Sequence, residues 1–160
     1  TWLGVYFERR YGLSEAGIGL ALLGYGVPGF VLGPIIGRLA DRSGRSVLIP
    51  IGVAVGATAA LVLAPDIPLA LAALTVALLS LGYDLTQPLL AGIVTQLSQQ
   101  RGQAMGLNVF TLFVGFGLGS LLFQALLDKG FTTALVAFGA AGVLAASVAV
   151  GAFRDETVAT

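Results

Sequence analysis

The stretch Gly37-Arg38-Leu39-Ala40-Asp41-Arg42-Ser43-Gly44-Arg45-Ser46 places three arginines, one aspartate and a glycine turn inside an otherwise apolar sequence. On its N-terminal side the chain is apolar from about Ser14 to Ala40, and on its C-terminal side from about Val47 to Ala64. A helix rises about 1.5 Å per residue, so each run is long enough to cross roughly 30 Å of hydrocarbon. Two membrane-length runs joined by a short charged turn predict a helical hairpin in a bilayer, because only intra-helical pairing satisfies the backbone there.

Working outward, the same alternation continues. Pro65, Asp66 and Pro68 end the second run, and a third extends from about Leu69 to Leu97. The polar linker Ser98 to Gln103 precedes a fourth from about Ala104 to Leu127, and Asp128-Lys129-Gly130 turns the chain into a fifth, Phe131 to Phe153. Thr1 to Phe7 is too short to span or to act as a secretory signal core, and reads as the stub of a sixth. Because the chain starts with Thr1, it is expected to be a fragment of a longer protein. At the entry to the first span Ser14 is the expected N-cap, with Glu15 in the electropositive first turn. The fold class is therefore an all-α, polytopic transmembrane bundle of five full spans.

Composition agrees. Hydrophobic residues make up 57% of the 160, charged residues only 10%, and mean hydropathy is +0.96. Eight cations offset eight anions, which leaves no basic surface for nucleic acid. With neither Cys nor His, the chain has no thiol nucleophile, disulfide, imidazole base or ordinary zinc ligand, so no cofactor or metal is expected and an enzyme is not.

Orientation follows from Lys and Arg. Alternating spans put Arg38, Arg42, Arg45, Arg101 and Arg154 on one side and Arg9, Arg10 and Lys129 on the other, so the five-arginine side, with the C-terminus, is expected to be cytoplasmic. Trp2, Tyr6 and Tyr11 suit an interfacial aromatic belt on the other side.

The spans differ in polarity. The second has Thr58 as its only polar side chain between Val47 and Ala64, and the fifth has Ser147 between Ala134 and Phe153, so both are expected to face lipid on nearly every side. The third carries Ser80, Tyr83, Asp84, Gln87 and Thr95, which at 100° per residue fall in a sector of about 120°. Asn108, Thr111, Gly115 and Gly119 share a face of the fourth. The Gly29, Gly33 and Gly37 series and the Gly115/Gly119 pair have the spacing of close helix packing, while Asn108 and Thr111 suit either packing or a cavity wall.

The charged turn resembles the cytoplasmic signature loop of the major facilitator superfamily, in which a Gly-x-Leu-Ala-Asp-Arg-x-Gly-Arg pattern is followed by Lys or Arg. Gly37, Leu39, Ala40, Asp41, Arg42, Gly44 and Arg45 match, and Ser46 departs. Gly44 permits the turn, the arginines anchor it at the surface, and Asp41 is placed to accept hydrogen bonds from Arg or helix N-termini. The resemblance covers essentially the whole chain. It implies a two-halved transporter, with this chain as helices 8 to 12 of the C-terminal half behind the end of helix 7. No Arg lies in the Leu69 to Leu97 helix and no Pro follows Gly119, as the N-terminal half would require. The implied function is secondary active transport of a small solute by alternating access, proton-coupled and in the direction of efflux, through a plasma or inner membrane. Its partners would be the lipid bilayer, the solute, protons and an N-terminal half of the same polypeptide.

Asp84 is the residue on which a mechanism would turn. It lies about 20 Å along the helix from either end of its span, where an ionised carboxylate is costly. Desolvation favours the protonated form of a carboxyl, as proton carriage needs. The expected pathway is Asp84 with Ser80, Tyr83, Gln87, Asn108 and Thr111. A purely structural alternative has a protonated Asp84 bridging to Asn108 or Tyr83. From another functional class, the same bundle would serve as a non-transporting scaffold or sensor subunit. A companion half of about six helices upstream in the reading frame would favour transport over the scaffold reading.

Overall fold

A computed structural model describes residues 2–154, with side chains through Phe153. It contains eight α-helices: α1 (Trp2–Tyr11), α2 (Glu15–Leu22), α3 (Val27–Ser43), α4 (Arg45–Val62), α5 (Leu69–Asp84), α6 (Gln87–Leu97), α7 (Arg101–Leu127) and α8 (Phe131–Arg154). A 3₁₀ turn, Leu23–Tyr25, separates α2 from α3. Among the described residues there is no strand. Five stretches are long and apolar enough to cross a membrane: Glu15–Ser43, Arg45–Val62, Leu69–Leu97, Arg101–Leu127 and Phe131–Phe153.

The Ser14 hydroxyl accepts from the Gly17 amide at 3.4 Å, the expected N-cap. Two spans expected to be continuous are broken. The first is interrupted by the 3₁₀ turn, with Gly24, Gly26 and Pro28 clustered there. The third breaks at Leu85–Thr86, because Pro88 offers no amide to the Asp84 carbonyl four residues earlier. Thr86 compensates in part, its hydroxyl donating to the Gly82 and Tyr83 carbonyls, both at 3.0 Å. The stub at the N-terminus is a helix that continues to Tyr11.

Packing is centred on α4, which lies most extensively against α8 and then α5. Glycine makes this possible. A Cβ added at Gly82 would fall 2.8 Å from both the Gly52 carbonyl oxygen and the Gly56 nitrogen, and one at Gly142 would fall 2.8 Å from the Ala57 Cβ. Leu48, Ile49, Pro50, Ala57 and Ala59 are buried along α4. The expectation that the second and fifth spans face lipid nearly all round is therefore corrected. Low polarity suits a close helix–helix contact as well as a lipid-facing surface, and in this pair the small residues select contact. The Gly29/Gly33/Gly37 stripe needs the opposite correction, because Gly33 and Gly37 have nothing within 4 Å of an added Cβ and only Gly29 meets a neighbour. Gly115 is likewise open, and Gly119 only reaches Phe138 at 3.9 Å.

At the end bearing Arg9 and Arg10, α1 is built into the core. Tyr6 and Phe7 are buried with Leu63, Val76 and Phe123, and the Tyr6 hydroxyl donates to the Leu63 carbonyl at 3.0 Å. Tyr6 is thus a core residue, not part of an interfacial belt: its ring packs edge-on against Phe131 and its hydroxyl has a backbone acceptor. The Trp2 indole N–H donates to Ser120 Oγ at 3.0 Å, and the Tyr11 hydroxyl to the Ile67 carbonyl at 2.7 Å. Arg10 donates to Asp66, at 2.7 Å from Nε, and to the Leu63 and Ala64 carbonyls, closing the C-terminal end of α4. Burial works against the Arg10 charge, but the Asp66 hydrogen bond and nearby charges outweigh it and hold the guanidinium above its ordinary pKa.

Candidate functional site

The two broken spans meet along a seam of small residues. At the first break, a Cβ on Gly24 would touch Ala77 of α5 at 3.6 Å. Further along, a Cβ on Gly29 would lie 2.9 Å from each carboxylate oxygen of Asp84. Ala73, Ala77, Ser80 and Asp84 follow one another at spacings of four, three and four residues, so they share the face of α5 turned to this seam. Asp84 is consequently the last residue of α5, half-buried, with its carboxylate against the backbone of α3. Any side chain at position 29 would displace it.

The carboxylate has one hydrogen-bond partner among the described residues, the buried Ser80 hydroxyl, which donates to Oδ2 at 3.4 Å. No cation joins it: the single ion pair among the described residues is Arg10–Asp66, at the far end of α1. The backbone carbonyl of Asp84, freed by Pro88, adds a second acceptor where the helix is interrupted. Tyr25, the last residue of the 3₁₀ turn, lies within electrostatic reach of Tyr83 and Asp84. Among the described residues the arrangement is a carboxylate at a helix break with one hydrogen-bond donor and no cation beside it.

The other expected pathway residues divide into two groups. Ser80, Tyr83 and Asp84 lie together at the end of α5, with Tyr83 exposed, and Gln87 opens α6 just past the break. Asn108 and Thr111 lie elsewhere. They line a cavity of about 640 Å³ between α6 and α7 together with Val94, Leu97 and Leu107. Asn108 stands about 10 Å from the Arg101 end of its helix, against about 20 Å from the Leu97 end for Asp84, and neither Asn108 nor Tyr83, the partners of the purely structural alternative, hydrogen-bonds the Asp84 carboxylate among the described residues. Thr95, expected on the same stripe, returns its hydroxyl to the Ala91 and Gly92 carbonyls of its own helix. Once the helix breaks, 100° steps cannot be carried across it, so residues on either side of Leu85–Thr86 do not form one stripe.

In the charged turn, Gly44 adopts φ +84° between α3 and α4, a conformation that favours glycine, and its amide donates to the Ala40 carbonyl at 3.1 Å. Gly37 is open, and Asp41 and Arg42 are exposed. The hydrogen bonds expected at Asp41 do not form among the described residues. Arg45 instead reaches across to α6, where it covers Gly92 and donates to Gln96 Oε1 at 2.9 Å. Sequence reading missed this contact and the Gly29 contact, since neither partner carries a signal beyond being small or polar. Of the C-terminal tail, the Arg154 side chain and residues 155–157 lie outside the described residues.

No group of three or more His, Cys, Asp or Glu among the described residues could hold a metal ion. Compared with known families, residues 1–160 match the family model described as Major Facilitator Superfamily. No curated protein and no solved structure matches the chain.

Proposed function

This chain belongs to the Major Facilitator Superfamily, whose members are membrane transporters and not enzymes, and we propose that it is the C-terminal half of a proton-coupled secondary transporter. In this reading a small solute is exported by alternating access, a companion N-terminal half completes the pathway, and Asp84 exchanges a proton for the solute. The observation that carries it is the Asp84 carboxylate at the α5–α6 break, pressed against Gly29 with Ser80 as its hydrogen-bond donor and no cation beside it. A mid-membrane carboxylate so placed is stable when protonated, or when a cavity or a cationic solute faces it. The break supports the reading, since irregular backbone at membrane depth is tolerated where it lines a cavity or is covered by protein.

The test is proton-gradient-driven flux in proteoliposomes across a pH series, with the complete transporter and a solute found by screening. Asp84→Asn keeps the size and most hydrogen bonds but carries no proton, and is expected to lower coupled flux at least tenfold at unchanged membrane abundance. Wild-type flux with wild-type pH dependence in that variant would remove Asp84 from the coupling site.

We also place the charged turn and the C-terminus in the cytoplasm of a plasma or inner membrane, on the arginine asymmetry. Cysteines introduced at Ser43 and Asp66 are then expected to be labelled from opposite sides, Ser43 from within. Labelling of both from one side would overturn the orientation.

A further inference from the structure

Besides the Asp84 seam, the molecule carries a cavity between two other helices. It lies between α4 and α8, has a volume of about 530 Å³, and is open at the surface among the described residues. On α4 its wall is Val47, Ile51, Ala54 and Thr58, one stripe of the helix, and all four are exposed. Pro50 and Ala146 are buried and form its floor.

Its position follows from glycine. Gly139 and Gly142 of α8 bring the two helices into contact at Leu61 and Ala57, where an added Cβ would fall within 2.8 Å of those side chains. Beyond Gly142, toward Phe153, the seam opens into the cavity. Away from Ser46, the two hydroxyls in the wall are already spent. Thr58 donates to the Ala54 carbonyl at 2.8 Å and Ser147 to the Val143 carbonyl at 3.0 Å, so the wall presents an apolar surface.

The cavity has one polar end. Ser46, in the first turn of α4, lines it, and the N-cap of α4, Gly44, brings no side-chain hydrogen bond to the first amides. A helix N-terminus with free amides attracts an anion, and the exposed Arg42 stands two residues before the cap. From Ser46 to Thr58 the wall runs about 18 Å along the helix, close to the roughly 15 Å depth of one leaflet's hydrocarbon.

We propose that this groove is a binding site for one phospholipid of the leaflet on the Arg42 side, an acyl chain lying between α4 and α8 and an anionic headgroup at Ser46 and the α4 N-terminus. The occupant is set by the match of polar end, apolar wall and leaflet depth. The site is separate from Asp84, so it stands whether or not the coupling reading does.

Native mass spectrometry of the complete transporter, released from micelles doped with phosphatidylglycerol or phosphatidylcholine of equal chain length, tests it. Wild type is expected to retain phosphatidylglycerol at least fivefold over phosphatidylcholine. Ala54→Trp, which fills the groove, is expected to lose at least fivefold of the retention of both lipids. Ser46→Glu is expected to bring the two lipids to parity while keeping the phosphatidylcholine adduct. Thermal unfolding of each variant within a few degrees of wild type establishes that it is folded, and Ile51→Trp replaces Ala54→Trp if that variant is not. Equal retention of the two lipids by wild type, or full retention by the folded groove-filling variant, would overturn the proposal. A dimer dispersed by the same variant would assign the groove to a second copy and also overturn it.

Discussion

The helices α4 and α8 and the helices α3 and α7 all set glycines among apolar residues, yet most of those glycines behave oppositely. In α4 and α8, three glycines are occupied, Gly52 by Leu85 and Thr86, Gly139 by Leu61 and Gly142 by Ala57, while an added Cβ at Gly56 or Gly151 would meet nothing. In α3 and α7, Gly33, Gly37, Gly115 and Gly117 have nothing within 4 Å, and Phe30, Phe110 and Phe113 are exposed. Glycine spacing therefore records that a face can be approached and not that it is. What decides is the complementary partner, and α4 has partners on two sides in Gly82 of α5 and Gly142 of α8. Of the α3 glycines only Gly29 has a tight neighbour, the Asp84 carboxylate, so it serves a side chain instead of a helix backbone.

Substitution at Gly82 should break the comparison most severely. Gly82→Leu forces a side chain into the Gly52 carbonyl and the Gly56 backbone, neither of which can swing aside as a side-chain end would. Overpacking of this kind costs about 1–3 kcal/mol or more, and we expect the variant at the upper end, seen as a lower unfolding temperature and reduced membrane abundance. A wild-type unfolding temperature would mean that the α4–α5 contact does not hold the bundle.

At the other extreme, Gly117→Ala adds a methyl where there is open space. Its expected effect is within about 1 kcal/mol and, if anything, stabilising, since alanine favours helix over glycine. Destabilisation as large as at Gly82 would show that α7 has a close partner on that face, and would remove the contrast.

The spans were legible because hydropathy over some twenty residues outweighs every local detail, and the charged turn was legible because Gly44 needs its positive φ. The break at Leu85–Thr86 was half legible. Pro88 announces a missing hydrogen bond, but whether a helix bends or stops there depends on Thr86 capping Gly82 and Tyr83, which is settled in three dimensions. Asp84 stood out as the one carboxylate deep in a span, and its bond to Ser80 lies within reach of helical spacing. Gly29 did not stand out, because its contact with Asp84 joins two different spans. In sequence Arg45 suits a surface anchor, and only the placement of α6 shows it bound to Gln96.

The claim at the centre of this account is that Asp84 carries the proton which the solute displaces. It is tested most directly by measuring proton release on solute binding, using a pH-indicator dye and the purified complete transporter in weakly buffered detergent solution. Wild type is predicted to release protons as solute saturates it. Asp84→Asn is predicted to release none, while Asp41→Asn, in the exposed turn, releases as much as wild type. Equal release by wild type and Asp84→Asn at matched solute occupancy would contradict the account and place the exchanging proton on another residue.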